Sequence, residues 1–203
     1  AGFGGIDPRM DVYYCFLETL AGGYGGRYGS DGPDAVQPHG QNTENAPVEE
    51  TEIRYPVRIT RYELIENSEG AGRHRGGLGL RRDYLFSDPE VSFTILADRN
   101  RWGPWGLFDG LPGRKASYVL NPDGEAMELE SKVTLELKPG DVVSYRTCGG
   151  GGYGPPGERD PQQVLRDVRE GKVSLERART VYRVAIDANA WVVDEEKTEQ
   201  LRR

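Results

Sequence analysis

Clustered glycine is the feature that most limits how this chain can fold. Glycine accounts for 28 of the 203 residues, roughly twice the usual share of about 7%, and it shows no collagen-like period. It is densest at residues 22–26, 70–79 and 149–154. Because glycine loses much backbone entropy in a regular helix or strand, these clusters predict loops and many tight turns.

Short β-prone segments fill the spaces between the clusters. Val12 to Phe16 favour a buried strand with Cys15 in the core, and a helix is the alternative. An alternating pattern from Glu52 predicts another strand, with a β-bulge near Thr60 or Arg61 where the pattern changes phase. Four or five further strands are expected, with candidates at Leu80 to Phe86, Val91 to Ala97, Ala116 to Leu120, Lys132 to Lys138 and Val142 to Thr147. Turn sequences separate them, which is typical of an antiparallel sandwich or open barrel.

The C-terminal segment has a different pattern. Asp160 precedes Pro161 and predicts a helix that ends at Gly171, and Ser174 predicts the start of a second helix. Strands are expected at 181–186 and 191–193, followed by a charged helix at 194–203. The predicted fold class is α+β, β-rich, with antiparallel strands and short C-terminal helices. Its expected divisions are a glycine-rich and polar loop segment with one buried strand at 1–51, an antiparallel β domain at 52–154 and a helical and strand tail at 155–203.

Charge and composition exclude several classes of protein. The chain carries 26 basic and 33 acidic residues, a net charge of −7, which argues against a general nucleic-acid binder. No apolar run approaches the ~20 residues of a membrane helix and no leader is recognisable, so we expect a cytoplasmic protein. The start at Ala1, without Met, suggests a processed subunit or a piece of a longer chain. The two distant cysteines argue against a disulfide framework.

Polar residues following the first glycine cluster are the best candidates for chemistry. His39 can be a proton carrier or metal ligand beside Asn42 and Asn45, which could orient a carbonyl or amide substrate. The alternative is a loop histidine bonded to nearby backbone. His74, between two arginines in a turn, is expected to be a solvated surface residue. With only these two histidines in the chain, a three-histidine zinc site is excluded.

Other motifs point less clearly to catalysis. Cys148 ends a predicted strand but has no histidine neighbour, so a small buried cysteine is the favoured interpretation. The residues 149–154 match a dinucleotide-binding glycine pattern, but prolines follow where a helix would have to begin, so this interpretation is rejected. Two arginines and two tryptophans between Asp98 and Gly106 can bind an anion by cation–π contact or form a protein interface, and the interface is favoured.

Several motifs, in their order along almost the whole chain, carry a family resemblance. They are Gly22-Gly23-Tyr24-Gly25-Gly26-Arg27, Ser30-Asp31-Gly32, His39 to Glu49 (HGQNTENAPVE), Arg54-Tyr55-Pro56-Val57, Gly70 to Gly79 (GAGRHRGGLG), Asp98-Arg99, Pro104-Trp105-Gly106-Leu107, Leu137 to Asp141, Gly149 to Gly154 and Glu158-Arg159-Asp160-Pro161. This collinear set closely resembles the hydantoinase B / 5-oxoprolinase family.

The resemblance implies a large enzyme assembled from two kinds of subunit. In this family ATP is bound by an A-type subunit, which activates a carbonyl, and a B-type subunit completes hydrolysis of a cyclic amide or imide. The chain resembles the C-terminal part of a B-type subunit. The family's divalent-metal motif belongs to the N-terminal part and has no counterpart here. The expected partners are therefore that N-terminal part and the A-type subunit, with ATP and a divalent metal (Zn or Mn) bound by them and no cofactor held by this chain alone.

The same resemblance assigns roles within the polar segment from Asp31 to Glu49. The implied catalytic residues are His39, Asn42 and Asn45, and the implied substrate-binding residues are Arg27, Asp31, Thr43 and Glu49. Backbone amides of the glycine clusters are expected to help hold the developing oxyanion. Two alternatives stay open, namely a subunit of an ATP-dependent ketone carboxylase of the acetone or acetophenone type, and a non-catalytic assembly module that packs against partners through Trp102 and Trp105.

Overall fold

Two antiparallel sheets lie face to face in the computed structural model, which describes residues 1–37 and 39–203. The first sheet has the order β2-β1-β5-β8 and the second has the order β3-β4-β9-β6-β7. The strands are β1 Gly2–Asp7, β2 Val12–Leu17, β3 Val57–Leu64, β4 Leu80–Phe86, β5 Val91–Leu96, β6 Ser117–Leu120, β7 Met127–Glu128, β8 Lys132–Leu137 and β9 Val142–Arg146. The predicted β-rich sandwich and its five central strands are confirmed.

Aromatic side chains fill the space between the sheets. The Phe3 ring of β1 lies 5.1 Å from Phe86 and 5.8 Å from Tyr84 of the opposite sheet, measured between ring centroids. In its own sheet it contacts Phe16 at 4.9 Å and Phe93 at 6.2 Å. Each buried ring of this kind contributes about 1.5–3 kcal/mol relative to exposure. This shared core holds the two sheets together.

The strand predicted at Val12 to Phe16 exists, but only one of its faces is buried. β2 is an edge strand, so Tyr14 and Phe16 point inward while Cys15 and Leu17 are exposed. The prediction of Cys15 as a core residue is therefore wrong, because an apolar sequence does not show which face of an edge strand is covered. Its partner β1 was missed, since its three glycines at Gly2, Gly4 and Gly5 are unfavourable in strands.

The segment that leads into β3 is a short helix, where the sequence predicted the start of the strand. Helix α1 spans Val48–Arg54, with Glu49 and Glu50 in its first turn, where acidic side chains favour the helix dipole. The strand β3 starts only after Pro56. The predicted bulge is confirmed, because the pairing of β3 with β4 shifts register between Ile59 and Arg61.

Four glycine-rich segments pack together beside the sandwich and form what we call the glycine layer, residues 22–26, 70–79, 103–113 and 149–154. A Cβ added at Gly150 would lie 1.9 Å from the Tyr24 carbonyl oxygen, and one added at Gly23 would lie 1.9 Å from the Gly77 carbonyl oxygen. Neither glycine has a positive φ. The layer therefore uses glycine for close backbone approach, which corrects the expectation that the clusters mainly supply tight turns.

Backbone hydrogen bonds join the segments of the glycine layer. The Gly150 amide donates to Gly77 O at 2.9 Å, the Gly77 amide to Tyr24 O at 2.7 Å, and the Gly26 amide to Gly151 O at 2.8 Å. Buried backbone groups need such partners. The layer thus satisfies its polar backbone between segments that lie far apart in sequence.

Short elements follow the glycine layer. They are a 3₁₀ turn at Pro156–Glu158, α2 Pro161–Arg169, α3 Leu175–Thr180, β10 Ile186–Asp187, β11 Val192–Val193 and α4 Glu195–Arg202. The side chains of Asp160 and Ser174 cap α2 and α3, as predicted. The strand expected at 181–186 is reduced to the end of that range, because Val181 has a helical backbone conformation and Arg183 has a positive φ of 56°. Tyr182 and Val184 are buried in a small second core. No helix among the described residues is long and apolar enough to cross a membrane.

A buried ion network fastens this C-terminal part to the rest. The Arg159 guanidinium bonds both oxygens of Asp31, each at 2.7 Å, and Asp167 at 2.8 Å. Arg75 bonds the same Asp167 at 3.0 Å and Asp34 at 2.9 Å. The predicted division of the chain into parts at 1–51, 52–154 and 155–203 stays a prediction. The ion network joins residues of all three parts.

We expect Gly150→Ala to destabilise the protein by about 3 kcal/mol or more, because the new Cβ would overlap the Tyr24 carbonyl and both are backbone-anchored. The matched control is Gly124→Ala, since a Cβ there has its nearest contact at 3.9 Å, and it should stay within about 0.5 kcal/mol. Urea unfolding monitored by circular dichroism measures both. Equal midpoints for the two variants would contradict the packing role of the layer.

Acid should weaken the buried ion network. Burial by itself would raise the pKa of Asp31, but the Arg159 and Arg75 groups outweigh it and lower the pKa of Asp31 below the ordinary 3.8. The pKa of Asp34 is lowered in the same way, against its burial, by the Leu78 amide and Arg75. Both carboxylates therefore stabilise the fold above pH 3.8, and this contribution is lost as the pH falls below that value.

The measurement is the thermal midpoint between pH 6 and 2. We expect the double variant Asp31→Asn/Asp34→Asn to show a shallower fall across the acid range than the unchanged protein. Asp123→Asn is the control, because Asp123 is exposed. If the thermal midpoints of the double variant and the unchanged protein fall in parallel with pH, these two carboxylates are not the source of the acid sensitivity.

Candidate functional site

The polar segment places its predicted catalytic residues at the surface. His39 is exposed, and its Nδ1 lies 3.4 Å from the Tyr24 hydroxyl of the glycine layer. Asn42 and Thr43 are also exposed. Pro38, which precedes His39, lies outside the described residues. An exposed imidazole and an exposed carboxamide leave their polar atoms open to a ligand or to water.

Asn45 is the most constrained of the three predicted catalytic residues. Its Nδ2 donates to Glu18 Oε1 at 3.0 Å and to the Thr19 carbonyl at 3.1 Å. The Tyr62 hydroxyl donates to its Oδ1 at 3.3 Å. These three bonds fix the orientation of the carboxamide. They also join the polar segment to the end of β2.

Glu18 is the buried anchor of this arrangement. Besides Asn45, its carboxylate accepts from Arg82 Nη1 at 2.9 Å and from the Tyr84 hydroxyl at 2.5 Å. Burial raises the pKa of Tyr84 well above its ordinary value, and the adjacent Glu18 charge adds to this effect. The Arg82 guanidinium is fully buried and lies 4.7 Å from the Tyr62 ring centroid. Among the described residues its Nε has no hydrogen-bond partner.

Sequence reasoning missed Glu18 and Arg82. The available signal was weak: one acidic residue that ends an apolar stretch, and one arginine inside the strand Leu80–Phe86. A buried charge of this kind needs a partner. The pairing across 64 positions in the sequence becomes visible only when β2 and β4 face each other.

The predicted substrate-binding residues occupy different places. Arg27 is exposed and lies in a turn whose backbone pairs with Ser30. Asp31 belongs to the buried ion network. Glu49 is exposed in the first turn of α1. The structure thus brings Asn45 to Glu18 and His39 to Tyr24, while Asp31 already has internal partners.

A cavity of about 400 Å³ opens at the end of the sandwich, where β2, β5 and β9 finish. Its size suits a small molecule. Glu18 and Thr19 belong to its lining and connect it to Asn45; the other polar or charged lining side chains include Arg99, Tyr118, Tyr145 and Cys148. A larger cavity of about 900 Å³ lies among the C-terminal helices and includes none of the predicted site residues in its lining.

Cys148 does not have the environment of a nucleophile. It is half-buried, and burial raises the pKa of its thiol against the smaller opposing effect of Arg99. A raised pKa keeps the sulfur in its unreactive protonated form. His74, expected at the surface, is half-buried, and its backbone pairs with Tyr153.

Four amides of the segment 149–154 are not free to bind a phosphate or an oxyanion. The amides of Gly149, Gly150, Gly152 and Gly154 donate to carbonyls of the chain itself. The expected oxyanion role for these amides is therefore not supported. Within residues 1–37 and 39–203 no group of three or more His, Cys, Asp or Glu side chains has the arrangement of a metal site. The described residues do not form the divalent-metal site that the resemblance implies for the assembly.

The sandwich with its glycine layer has the fold of one part of a larger enzyme: the crystal structure of ATP-dependent caprolactamase from Pseudomonas jessenii superposes with a TM-score of 0.82 and 28% identity over 99% of this chain and 36% of that chain. The family model described as hydantoinase B/oxoprolinase matches residues 1–156. The chain belongs to the hydantoinase B/oxoprolinase family, and the predicted resemblance is confirmed.

Curated relatives are similar over nearly the whole chain. The B-type subunit of a putative D-/L-hydantoinase of Pseudomonas sp. (strain NS671) is 39% identical over 194 residues, which is 94% of this chain and 32% of that protein. The beta subunit of caprolactamase from Pseudomonas jessenii is 35% identical over 196 residues, which is 91% of this chain and 34% of that protein. The chain thus spans about a third of the length of these relatives.

We expect a maleimide reagent at pH 7 to modify Cys15 at least about 10-fold faster than Cys148, because Cys15 is exposed and burial disfavours the Cys148 thiolate. Mass spectrometry of the Cys15→Ser and Cys148→Ser variants assigns each rate. Faster modification of Cys148 would show an activated thiol beside the cavity and would reopen its catalytic role.

Proposed function

We propose that this chain is the C-terminal component of the B-type half of an ATP-dependent amidohydrolase that opens a cyclic amide or imide, and that it is not active alone. One observation carries the proposal: the similarity to an ATP-dependent caprolactamase over 99% of the chain with a TM-score of 0.82. The relatives named as one subunit of a hydantoinase and one subunit of a caprolactamase support the same role.

The assembly would be cytoplasmic and would contain the N-terminal part of the B-type subunit and an A-type ATP-binding subunit. ATP and a divalent metal, Zn or Mn, would be bound by those parts, where ATP supplies carbonyl activation. The residues of this chain would act on the substrate and the attacking water. The roles proposed for these residues require no cofactor bound by this chain.

The polar segment would supply those residues. An imidazole can accept a proton from water near neutral pH, so the exposed His39 would serve as the general base. Asn42 and Asn45 would orient the amide by hydrogen bonds, and the bonds from Asn45 to Glu18 and from Tyr62 to Asn45 would keep that carboxamide in one orientation. Arg27, Asp31, Thr43 and Glu49 would contribute to substrate binding.

His39→Ala and Asn42→Ala should each lower turnover of the purified complex by about 10²–10⁴-fold, the usual effect of losing a general base or a positioned donor. Both residues are exposed, so subunit association and thermal midpoints should not change. Gln41→Ala, an exposed neighbour in the same segment, is the control and should keep full activity. The assay follows ATP-dependent ring opening of 5-oxoproline, hydantoins and caprolactam.

Two results would contradict the proposal. Full activity in both variants would remove the polar segment from catalysis. ATP- and bicarbonate-dependent consumption of a ketone, with no ring opening of any cyclic amide, would assign the complex to carboxylation instead.

A further inference from the structure

The hydrogen bonds around Asn45 fix which of its side-chain atoms is open to a ligand. Its Nδ2 lies between Glu18 Oε1, at 3.0 Å, and the Thr19 carbonyl oxygen, at 3.1 Å. A carboxylate and a carbonyl can only accept, so the group between them must be the NH2 of the carboxamide and not its oxygen. Both N–H bonds of Asn45 are therefore used inside the chain.

The buried ion pair behind Asn45 stabilises this orientation. Arg82 Nη1 donates to the same Glu18 Oε1 at 2.9 Å, and both side chains are buried. A guanidinium has donors only, so Glu18 must accept on this side. A reversed carboxamide would bring Asn45 Oδ1 against the oxygens of Glu18 and Thr19. That arrangement is costly, because it leaves buried acceptors without donors.

The outer side of the carboxamide presents an acceptor. The Tyr62 hydroxyl donates to Asn45 Oδ1 at 3.3 Å, since an amide oxygen can only accept. This bond lies at the surface, whereas the bond from Nδ2 to Glu18 is partly buried. The Tyr62 ring is held by the Arg82 guanidinium, 4.7 Å from its centroid. An amide oxygen has two acceptor positions, so Oδ1 keeps one for a ligand when Tyr62 occupies the other.

An acceptor that cannot turn into a donor selects one group of a cyclic amide. The ring N–H donates and the ring carbonyl accepts, so only the N–H can pair with Asn45 Oδ1. An N-alkylated amide places a methyl group against Oδ1, and a lactone places an oxygen lone pair there. A site that bonds a substrate N–H discriminates strongly against analogues without it, because its polar group is then left unpaired.

We propose that Asn45 determines substrate specificity by accepting, through Oδ1, a hydrogen bond from the ring N–H of the substrate. The assembly therefore takes cyclic amides or imides whose ring nitrogen is unsubstituted. Glu18 and Arg82 set the polarity of this contact from the interior, and neither touches the substrate. This inference rests on the proposed function for its class of substrate and adds the atom of that substrate that is recognised.

The test uses the co-purified complex with a non-hydrolysable ATP analogue and measures binding rather than turnover. Isothermal titration calorimetry compares 5-oxoproline, hydantoin and caprolactam with the analogue of each that is methylated at every ring nitrogen. The ligand with a free N–H should bind about 10-fold or more tightly than its methylated analogue. The lactones that match 5-oxoproline and caprolactam in ring size carry no added bulk and should bind as weakly as the methylated compounds.

Variants assign the preference to one residue. Asn45→Ala removes Oδ1 and should bring the affinities for ligands with and without the N–H to within about 3-fold of each other. Gln41→Ala, an exposed neighbour, is the matched control and should keep the preference. Tyr62→Phe removes only the surface hydroxyl and leaves Asn45 oriented by Glu18 and Thr19, so it should keep the preference too. The lactone comparison needs no variant and decides the matter if Asn45→Ala does not fold.

Three outcomes would overturn the inference. They are equal affinity of the unchanged complex for ligands with and without the N–H, an N–H preference that persists in Asn45→Ala, and a preference lost in Tyr62→Phe, which would assign the acceptor to Tyr62. If the expected preference is found but ATP drives no ring opening, the inference stands and the proposed function fails. Ring opening without the preference gives the reverse result, and binding of none of the three cyclic amides would contradict both.

Discussion

Backbone-to-backbone contact between glycine-rich segments is the constraint on which the rest of the structure depends. The segments approach so closely that a single methyl group on Gly150 would overlap the Tyr24 carbonyl. Their amides and carbonyls pair with one another rather than with a ligand. The loop that carries Trp102 and Trp105 overlaps the third segment of this layer, and the polar segment follows its first segment, residues 22–26. The C-terminal helices are held beside the layer by the buried ion network. The layer therefore sets the positions of all three.

Buried charge connects the layer and the sandwich to the candidate site. Glu18 pairs with the fully buried Arg82 and also holds Asn45, so one carboxylate has both a structural and a positioning role. Removing one member of a buried ion pair leaves the other uncompensated, which costs about 3–5 kcal/mol. The second network, around Arg159, fixes Asp31 at the start of the polar segment. Both ends of that segment are thereby tied to charged groups in the interior.

Local rules predicted much of the fold from the sequence. The strand Leu80–Phe86, the bulge beside Thr60 and the caps at Asp160 and Ser174 depend on neighbouring residues only, and the structure has all of them. Cys15 was placed wrongly because exposure on an edge strand depends on what covers the sheet. The Glu18–Arg82 pair and the packing function of the glycines were missed because both are contacts between distant segments. The roles proposed for His39 and Asn42 rest on the polar residue pattern and on the family resemblance, and both residues are exposed.

The glycine layer also has a consequence for the order in which the protein folds. Its hydrogen bonds join residues as distant as Gly26 and Gly151, and its segments have few side chains that could collapse together early. Glycine-rich chain is the most disordered part of an unfolded polypeptide, so closing it is entropically costly until its surroundings are fixed. We therefore expect the sandwich to form first and to act as the template on which the glycine layer closes. We expect the loop that carries the tryptophans, which hydrogen-bonds to the layer through Leu107 and Gly152, to reach its native position late.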